Sequence, residues 1–176
     1  RYDSYIIKLN SLGNILWEKR IPGSWWVSFR TVIELANGDI LLTGSAFSYS
    51  AGNMDAHVVK ITSTGNLVWI KNLGTTGREH SQSIIELPGG NYLLSGNTNI
   101  TNNSSTNRAN PFLIKTTNTG TVLWGKQYDA ATFFSDINET ILLNDGNLLN
   151  VGETRSSDAG NHDIFLLKTD TNGVVI

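Results

Sequence analysis

Residues 55–69 read Asp-Ala-His-Val-Val-Lys-Ile-Thr-Ser-Thr-Gly-Asn-Leu-Val-Trp, and residues 83–96 read Ser-Ile-Ile-Glu-Leu-Pro-Gly-Gly-Asn-Tyr-Leu-Leu-Ser-Gly. Both stretches recur along the chain. The pentapeptides Gly13-Asn14-Ile15-Leu16-Trp17, Gly65-Asn66-Leu67-Val68-Trp69 and Gly120-Thr121-Val122-Leu123-Trp124 place their Trp residues 52 and 55 positions apart. Lys8, Lys60, Lys115 and Lys168 keep step with them, as do Gly13, Gly65, Gly120 and Gly173. A second glycine series runs through Gly44, Gly96 and Gly152. An acid or amide (Asp3, Asp55, Asn110, Asp163) opens the segment that carries each Lys. Several independent markers sharing one period identify an array of equivalent supersecondary units.

Each unit reads as four short strands. In the first copy, Tyr5 to Leu9 is a β-branched and aromatic run, Ser11-Leu12-Gly13-Asn14 a turn, and Ile15 to Ile21 a second strand carrying the Trp. Thr31 to Leu35 and Ile40 to Thr43 flank Asn37-Gly38, a hairpin signal because a type I′ turn needs positive φ at both central residues. The same turn slot holds Gly89-Gly90 and Asp145-Gly146. No stretch sustains a 3.6-residue period over ten residues, so no helix is expected. The chain is therefore all-β. Four strands in a unit of roughly 50 residues match one blade of a β-propeller.

With strands A to D counted outward from the axis, the chain opens on the C and D strands of one blade. Residues 1–21 make a half blade, followed by blades at 29–73, 81–127 and about 136–176. Propellers typically close with four to eight blades, so about three and a half four-stranded blades imply a segment of a larger ring.

Composition narrows the function classes. Of 176 residues, 39% are hydrophobic and only 16% charged, with no Cys and a net charge of −2. A nucleic-acid binder needs a basic footprint that this chain lacks. Without Cys, disulfide scaffolds and thiolate metal sites are excluded. Apolar runs of four or five residues are too short to span a bilayer as a helix, and no basic stretch followed by an apolar one opens the sequence, so neither membrane insertion nor a signal peptide is expected. Gly120 to Lys126 matches the first seven positions of a phosphate-binding loop. Gln127 then stands where Ser or Thr would hold magnesium, and the stretch reads as a hairpin rather than a helix N-terminus. Asp170 to Gly173 is too short for a calcium loop. His57, His80 and His162 are scattered without metal-ligand spacing, so no metal and no cofactor are expected. The Asn-x-Ser/Thr matches at Asn99, Asn102, Asn103 and Asn138 arise easily in an Asn- and Thr-rich chain.

A residue that recurs in every unit serves the unit before it serves a ligand. Trp17, Trp69 and Trp124 are expected to be mostly buried between adjacent blades rather than to form a binding platform. The lysines sit inside apolar strands and need partners there, turn carbonyls or the repeated Glu34 and Glu86. His57 occupies the slot of Tyr5, Phe112 and Phe165 and is expected to pack as a ring. The copy at 110–152 departs from the pattern: Asn110 replaces Asp, Leu142 replaces Glu, and one residue is inserted before strand A.

Loop lengths separate the two rims. The A–B and C–D hairpins are short and constant. The B–C loops (47–54, 97–109 and 153–162) and the D–A loops on the opposite rim vary, and variable loops on a rigid frame are where function concentrates. One D–A slot holds Trp25-Trp26 in the first copy, Gly77-Arg78-Glu79 in the next and Phe133-Phe134 in the third. Trp25, Trp26, Phe133 and Phe134, with Arg78, Glu79 and His80, are the candidate ligand-binding residues. Aromatic faces there suit sugar rings or a protein partner. No residue is assigned a catalytic role. A glycosidase or lyase with its active site at the channel mouth would need two converging carboxylates, for which Glu79, Asp129 and Asp136 are the D–A loop candidates.

The pattern Asp-x-x-Val-Val-Lys-Ile…Gly-Asn-x-x-Trp followed by Ser-Ile-Ile-Glu-Leu-Pro-Gly-Gly-Asn-Tyr-Leu-Leu-Ser-Gly resembles the repeats of large secreted bacterial propeller proteins, often carrying type IX sorting domains. Its Thr-Gly-x-x-x-Trp element is similar to the tryptophan-docking motif of quinoprotein-like propellers. The resemblance covers essentially the whole chain and implies a secreted or cell-surface protein with an adhesive, binding or scaffold role. Its partners would be a carbohydrate or protein ligand and the rest of the propeller or neighbouring domains. If the Trp residues lie between blades, replacing one by Ala should cost about 3–5 kcal/mol in denaturant unfolding.

Overall fold

The computed structural model describes residues 4–21, 26–47, 54–99, 109–128, 134–155 and 162–176. Strands β1 (Ser4–Leu9) and β2 (Ile15–Ile21) form a two-stranded sheet. β3 (Val27–Glu34), β4 (Ile40–Ala46), β5 (Asp55–Ile61) and β6 (Leu67–Leu73) form a four-stranded sheet, as do β7 (Arg78–Glu86), β8 (Tyr92–Asn99), β9 (Asn110–Thr116) and β10 (Val122–Gln127). β11 (Phe134–Leu142), β12 (Leu148–Arg155) and β13 (His162–Thr169) complete a three-stranded sheet, after which Val175 bridges back to Thr169. Every neighbouring pair is antiparallel and sheet order follows chain order. The fold is all-β, four antiparallel sheets of two to four strands, an arrangement consistent with a propeller-like stack. No helix occurs among the described residues.

Consecutive sheets pack face to face. Strand β7 lies against β3, β4 and β5, and β11 against β7, β8 and β9. Three apolar cores fill the gaps. Ile6, Trp17 and Ile21 meet Leu42, Val59 and Ile61 in the first. Leu41, Ala56 and Val58 meet Ile84, Leu94 and Phe112 in the second. Leu93 and Leu113 meet Ile137 and Leu148 in the third. Strands buried on both faces explain runs such as Ile40–Ala46, which is buried at all seven positions and so reads as continuous rather than alternating. Each fully buried Leu or Ile contributes about 1.5–3 kcal/mol.

The Trp series joins each sheet to the turn of the next. A Cβ built on Gly65 would meet Trp17 Cε3 at 3.0 Å, one on Gly120 would meet Trp69 Cη2 at 3.5 Å, and one on Gly173 would meet Trp124 Cη2 at 2.9 Å. These glycines also hold φ of 80°, 77° and 72°, where a side chain is strained. Trp17 Nε1 donates to Ser63 O at 3.1 Å, fixing the indole's tilt. The three indoles are mostly but not fully buried, each packed against one of the three cores. The expected cost of Trp→Ala therefore falls at the low end of its range, about 3 kcal/mol.

The second glycine series has a different cause. Each inner strand carries an extra residue, a β-bulge at Arg30, Gln82 and Asn138. The bulge pushes the carbonyls of Ser28, His80 and Asp136 toward the partner strand. A Cβ on Gly44, Gly96 or Gly152 would sit on those oxygens. The bulge also lets the inner strands begin earlier than their apolar runs suggest. β3 starts at Val27 instead of Thr31, and Arg78, Glu79 and His80 lie in strand β7 rather than in a loop.

The lysines find varied partners. Lys60 Nζ lies 3.3 Å from Asp39 Oδ2 and donates to Tyr92 OH at 3.2 Å. Lys168 Nζ lies 2.8 Å from Asp145 Oδ2 and holds that carboxyl down to about 2. Asp39 and Asp145 both belong to the hairpin turn of the lysine's own sheet. The turn at Leu87–Asn91 has no acid, and Lys115 Nζ instead donates to Thr171 O at 3.1 Å in the next sheet. Thr171 holds the position of Ser63, the acceptor for Trp17, and Trp124 Nε1 is left buried with no acceptor. Glu86 was expected beside a lysine; it instead accepts from Ala36 N at 2.9 Å, across the sheet gap. Pro88 stands where Ala36 does and has no N–H, so its neighbour Leu142 can replace the glutamate at no cost and packs against the core containing Leu87.

Gly96→Ala should destabilise the chain by about 4 kcal/mol or more, because backbone must move to admit the methyl. Gly125→Ala, whose nearest contact would be Ile114 Cγ1 at 3.7 Å, should be nearly neutral. Urea unfolding of the two variants checks the contrast.

Candidate functional site

Turn chemistry makes one edge of the stack uniform. In the hairpins opened by Asn10, Thr62, Thr117 and Asp170, a glycine N–H closes on the opening carbonyl at 2.9–3.0 Å. The opening side chain caps the turn as well: Asn10 Oδ1 accepts from Leu12 N and Asn14 N, and Asp170 Oδ1 from Asn172 N and Val174 N. The turns opened by Leu35, Leu87 and Leu143 close on glycine in the same way. These positions are consumed by their own geometry.

The opposite edge holds the long and divergent loops, and most of the candidate residues stand on or beside it. Two of them, Trp25 and Phe133, lie outside the described residues, as does Asp129. Trp26 is 36% exposed and meets the edge of Phe47, 38% exposed, with ring centroids 5.9 Å apart. Phe47 N donates to Trp26 O at 3.0 Å, so the pair is held across the mouth of the β3–β4 ladder. Phe134 begins β11 and carries the Arg155 guanidinium 5.4 Å from its ring centre. His162 Nδ1 lies 2.8 Å from Glu153 Oε2 on the same sheet. Among the described residues no ring contact joins Trp26 to Phe134; each aromatic is paired within its own sheet.

The polar candidates divide. Arg78 is exposed. Glu79 is 2% exposed. Its Oε1 accepts from Thr75 Oγ1 at 2.6 Å and Thr98 Oγ1 at 3.0 Å, and its Oε2 from Thr75 N at 3.1 Å. That carboxylate closes the loop between β6 and β7. Glu79 N also donates to Met54 O, and Ser135 N to Ala109 O, a stitch repeated between successive sheets. His80 is half-buried beside Ser45 Oγ at 3.4 Å; burial lowers its pKa first, then the positive charges of Arg30 and Arg78. His57 packs as expected, 6% exposed, with its ring 5.6 Å from Phe29 and Nδ1 2.6 Å from Asn72 Oδ1.

Asp136 is buried under the second bulge pair. Burial raises its pKa, and Glu153 adds to the shift; bonds from Asn97, Gln82 and the Ile137 N–H work against it. Gln82 Nε2 donates to Asp136 Oδ2 at 3.3 Å. Further contacts tie the inner strands together: Thr31 Oγ1 donates to Gln82 O at 2.6 Å and Ser83 Oγ to Glu139 Oε1 at 2.7 Å. This polar ladder runs through the bulge residue Gln82 and lies outside what the sequence pattern predicts. Its signal was the glycine series, read only as a marker of the period.

A cavity of about 480 Å³ opens between the second and third sheets at the divergent edge. Leu73, Phe112 and Ile114 form its apolar wall, and Thr75, Thr98 and Lys126 its polar one. It exists because Gly125 stands where the preceding unit has Ile70, whose side chain packs into the first core. Among the described residues no group of His, Asp and Glu could hold a metal ion, and no helix is long and apolar enough to cross a membrane. No protein-family model matches the chain, and no curated protein matches it.

A carboxyl whose folded pKa is raised costs stability at pH values above its unfolded pKa, and the cost disappears as pH falls below that value. Asp136→Asn should therefore raise the unfolding midpoint at neutral pH. The gain should shrink as the pH approaches 4, a trend that thermal scans across pH would record.

Proposed function

We propose that the chain is a β-propeller sector serving as a non-enzymatic binding or scaffold module of a secreted or cell-surface protein, with a carbohydrate or protein bound at the divergent edge. The observation that carries the proposal is the asymmetry between the two edges. Seven turns on one side share one closing hydrogen bond. The other side varies in length and composition while its frame stays constant. Selection for packing alone has no reason to keep Trp26 and Phe47 more than a third exposed on that edge. An amphipathic ring with one face in solvent suits stacking on a sugar or anchoring a partner.

The sector reading is supported by the meander order, by strands β7 and β11 that each lie on the sheet before, and by the Trp-on-glycine contact repeated at three successive interfaces. The carboxylates offer little to a hydrolase reading. Glu79 is committed to Thr75 and Thr98, and Asp136 is buried beneath Gln82.

A glycan array with the purified chain tests the carbohydrate arm. For any glycan retained, Trp26→Ala should weaken binding at least tenfold, about 1.4 kcal/mol, while leaving the urea midpoint near its original value. Retention unchanged by Trp26→Ala and Phe47→Ala would place the ligand elsewhere.

A further inference from the structure

Two departures from the repeat meet at one interface. Strand pairing sets the register of the inner strands: Val27 opposes Ala46, Glu79 opposes Thr98 and Ser135 opposes Thr154. A position that holds valine in one sheet and serine in another thus holds a carboxylate in the sheet of β7 to β10. The outer strand of that same sheet carries Gly125 where the preceding unit has Ile70, which packs into the first core. Residues that recur serve the packing of every unit. Glu79 and Gly125 do not recur, and both line the cavity of about 480 Å³ between the second and third sheets. Gly125 gives the cavity its room and Glu79 its charge.

The wall chemistry narrows the occupant. Leu73, Phe112 and Ile114 present hydrocarbon, as in small-molecule sites where an apolar lining holds the body and a few polar groups fix orientation. Glu79 stands at the polar end, 2% exposed. Its Oε1 accepts from two hydroxyls and its Oε2 from one amide, so an acceptor position remains on Oε2. Among the described residues no ion pair engages this carboxylate. Asp55, 1% exposed, adds to the negative charge: a Cβ built on the wall residue Gly74 would lie 2.5 Å from both Asp55 Oδ1 and Glu79 Oε2. Lys126 lends its stem to the wall, but its ammonium sits 5.7 Å from the centre of the Trp124 ring. That ring is on the face turned to the next sheet, where a Cβ on Gly173 would meet Lys126 Cδ at 3.0 Å. A buried carboxylate without a cation is costly, and a ligand that brings one relieves the cost.

We propose that this cavity is a binding site for a small primary ammonium on an apolar body, an alkyl- or arylalkylamine. Its –NH3+ group donates to Glu79 Oε2, and its hydrocarbon part fills the space left at Gly125. A neutral hydrocarbon fills the room and leaves the carboxylate uncompensated; an anion is repelled by it. Neither Trp26 nor Phe47 lines the cavity, so the site goes beyond the binding-module reading and does not depend on it.

The probe is 2-phenylethylammonium, titrated into the intact 176-residue protein and followed by calorimetry and amide chemical shifts. 2-Phenylethanol and 3-phenylpropanoate present the same ring with a neutral or a negative end. The ammonium should saturate at millimolar concentration or below, with shifts centred on residues 73–79 and 122–127. The alcohol should bind at least tenfold more weakly and the propanoate not at all. Gly125→Ile restores the side chain of the preceding unit, and a Cβ there meets nothing closer than Ile114 Cγ1 at 3.7 Å. It should abolish binding of the ammonium while leaving the urea midpoint at or above that of the parent chain. Glu79→Gln should weaken the ammonium at least tenfold and leave the alcohol unchanged, the alcohol reporting that the cavity is intact. The proposal is overturned by a lack of saturable ammonium binding up to about 10 mM, by propanoate binding as tight as that of the ammonium, or by ammonium binding undiminished in Gly125→Ile. Trp26→Ala should leave ammonium binding unchanged, so this site and the divergent-edge reading fail separately.

Discussion

An indole laid on the turn glycine of the following sheet is the contact on which the stack depends. It requires three things at once: a Trp at a fixed place on the outer strand, a positive-φ turn without a side chain, and a sheet gap narrow enough for the ring. Trp17 on Gly65, Trp69 on Gly120 and Trp124 on Gly173 meet all three. Because each contact joins one sheet to the next and to nothing else, stability accrues interface by interface, as in other repeat architectures. The end sheets therefore present apolar faces, with Tyr5, Ile7 and Leu9 exposed on the first and Ile164 and Leu166 on the last.

The inner strands solve a different problem. Packing them at the centre of the stack brings polar backbone from three sheets close together, and buried polar groups must be paired. The bulges at Arg30, Gln82 and Asn138 turn local carbonyls and side chains toward their neighbours, and the contacts Thr31–Gln82, Gln82–Asp136 and Ser83–Glu139 follow. Glycine at 44, 96 and 152 is the consequence. The same bulges start each inner strand near the divergent edge, which is how a rigid ladder comes to carry Arg78 and His80 close to the loops.

Departures from the repeat show compensation between positions far apart in sequence. Pro88 removes a donor, and the acceptor expected at 142 becomes Leu. A turn without an acid sends Lys115 to Thr171 O, and Trp124 Nε1 is left without the acceptor its counterpart Trp17 enjoys. Gly125 in place of the isoleucine of the preceding unit opens a cavity beside Phe112 and Ile114. Each is a local exchange that leaves the frame unaltered.

Turn positions and the strands of the first three sheets were legible because they depend on local patterns: a two-residue glycine turn, β-branched runs, and one period of spacing; the fourth strand expected in the last sheet is only the bridge of Val175 to Thr169. The β2 strand, Ile15–Ile21, was bounded correctly on those grounds. The packing role of His57 was legible too, since its slot holds rings in the other units. The candidate site was less so. Arg78, Glu79 and His80 read as loop, yet a bulge places them in β7, and a bulge depends on a carbonyl from one strand approaching a glycine on another. Whether a lysine meets an aspartate or a distant carbonyl, and whether Glu79 faces solvent or closes a loop onto Thr98, are settled by distances between chain segments 15 to 60 residues apart, roughly one unit of the repeat. Local sequence determines the strands and turns; only the stacking of the sheets decides which of their polar groups are consumed and which remain for a partner.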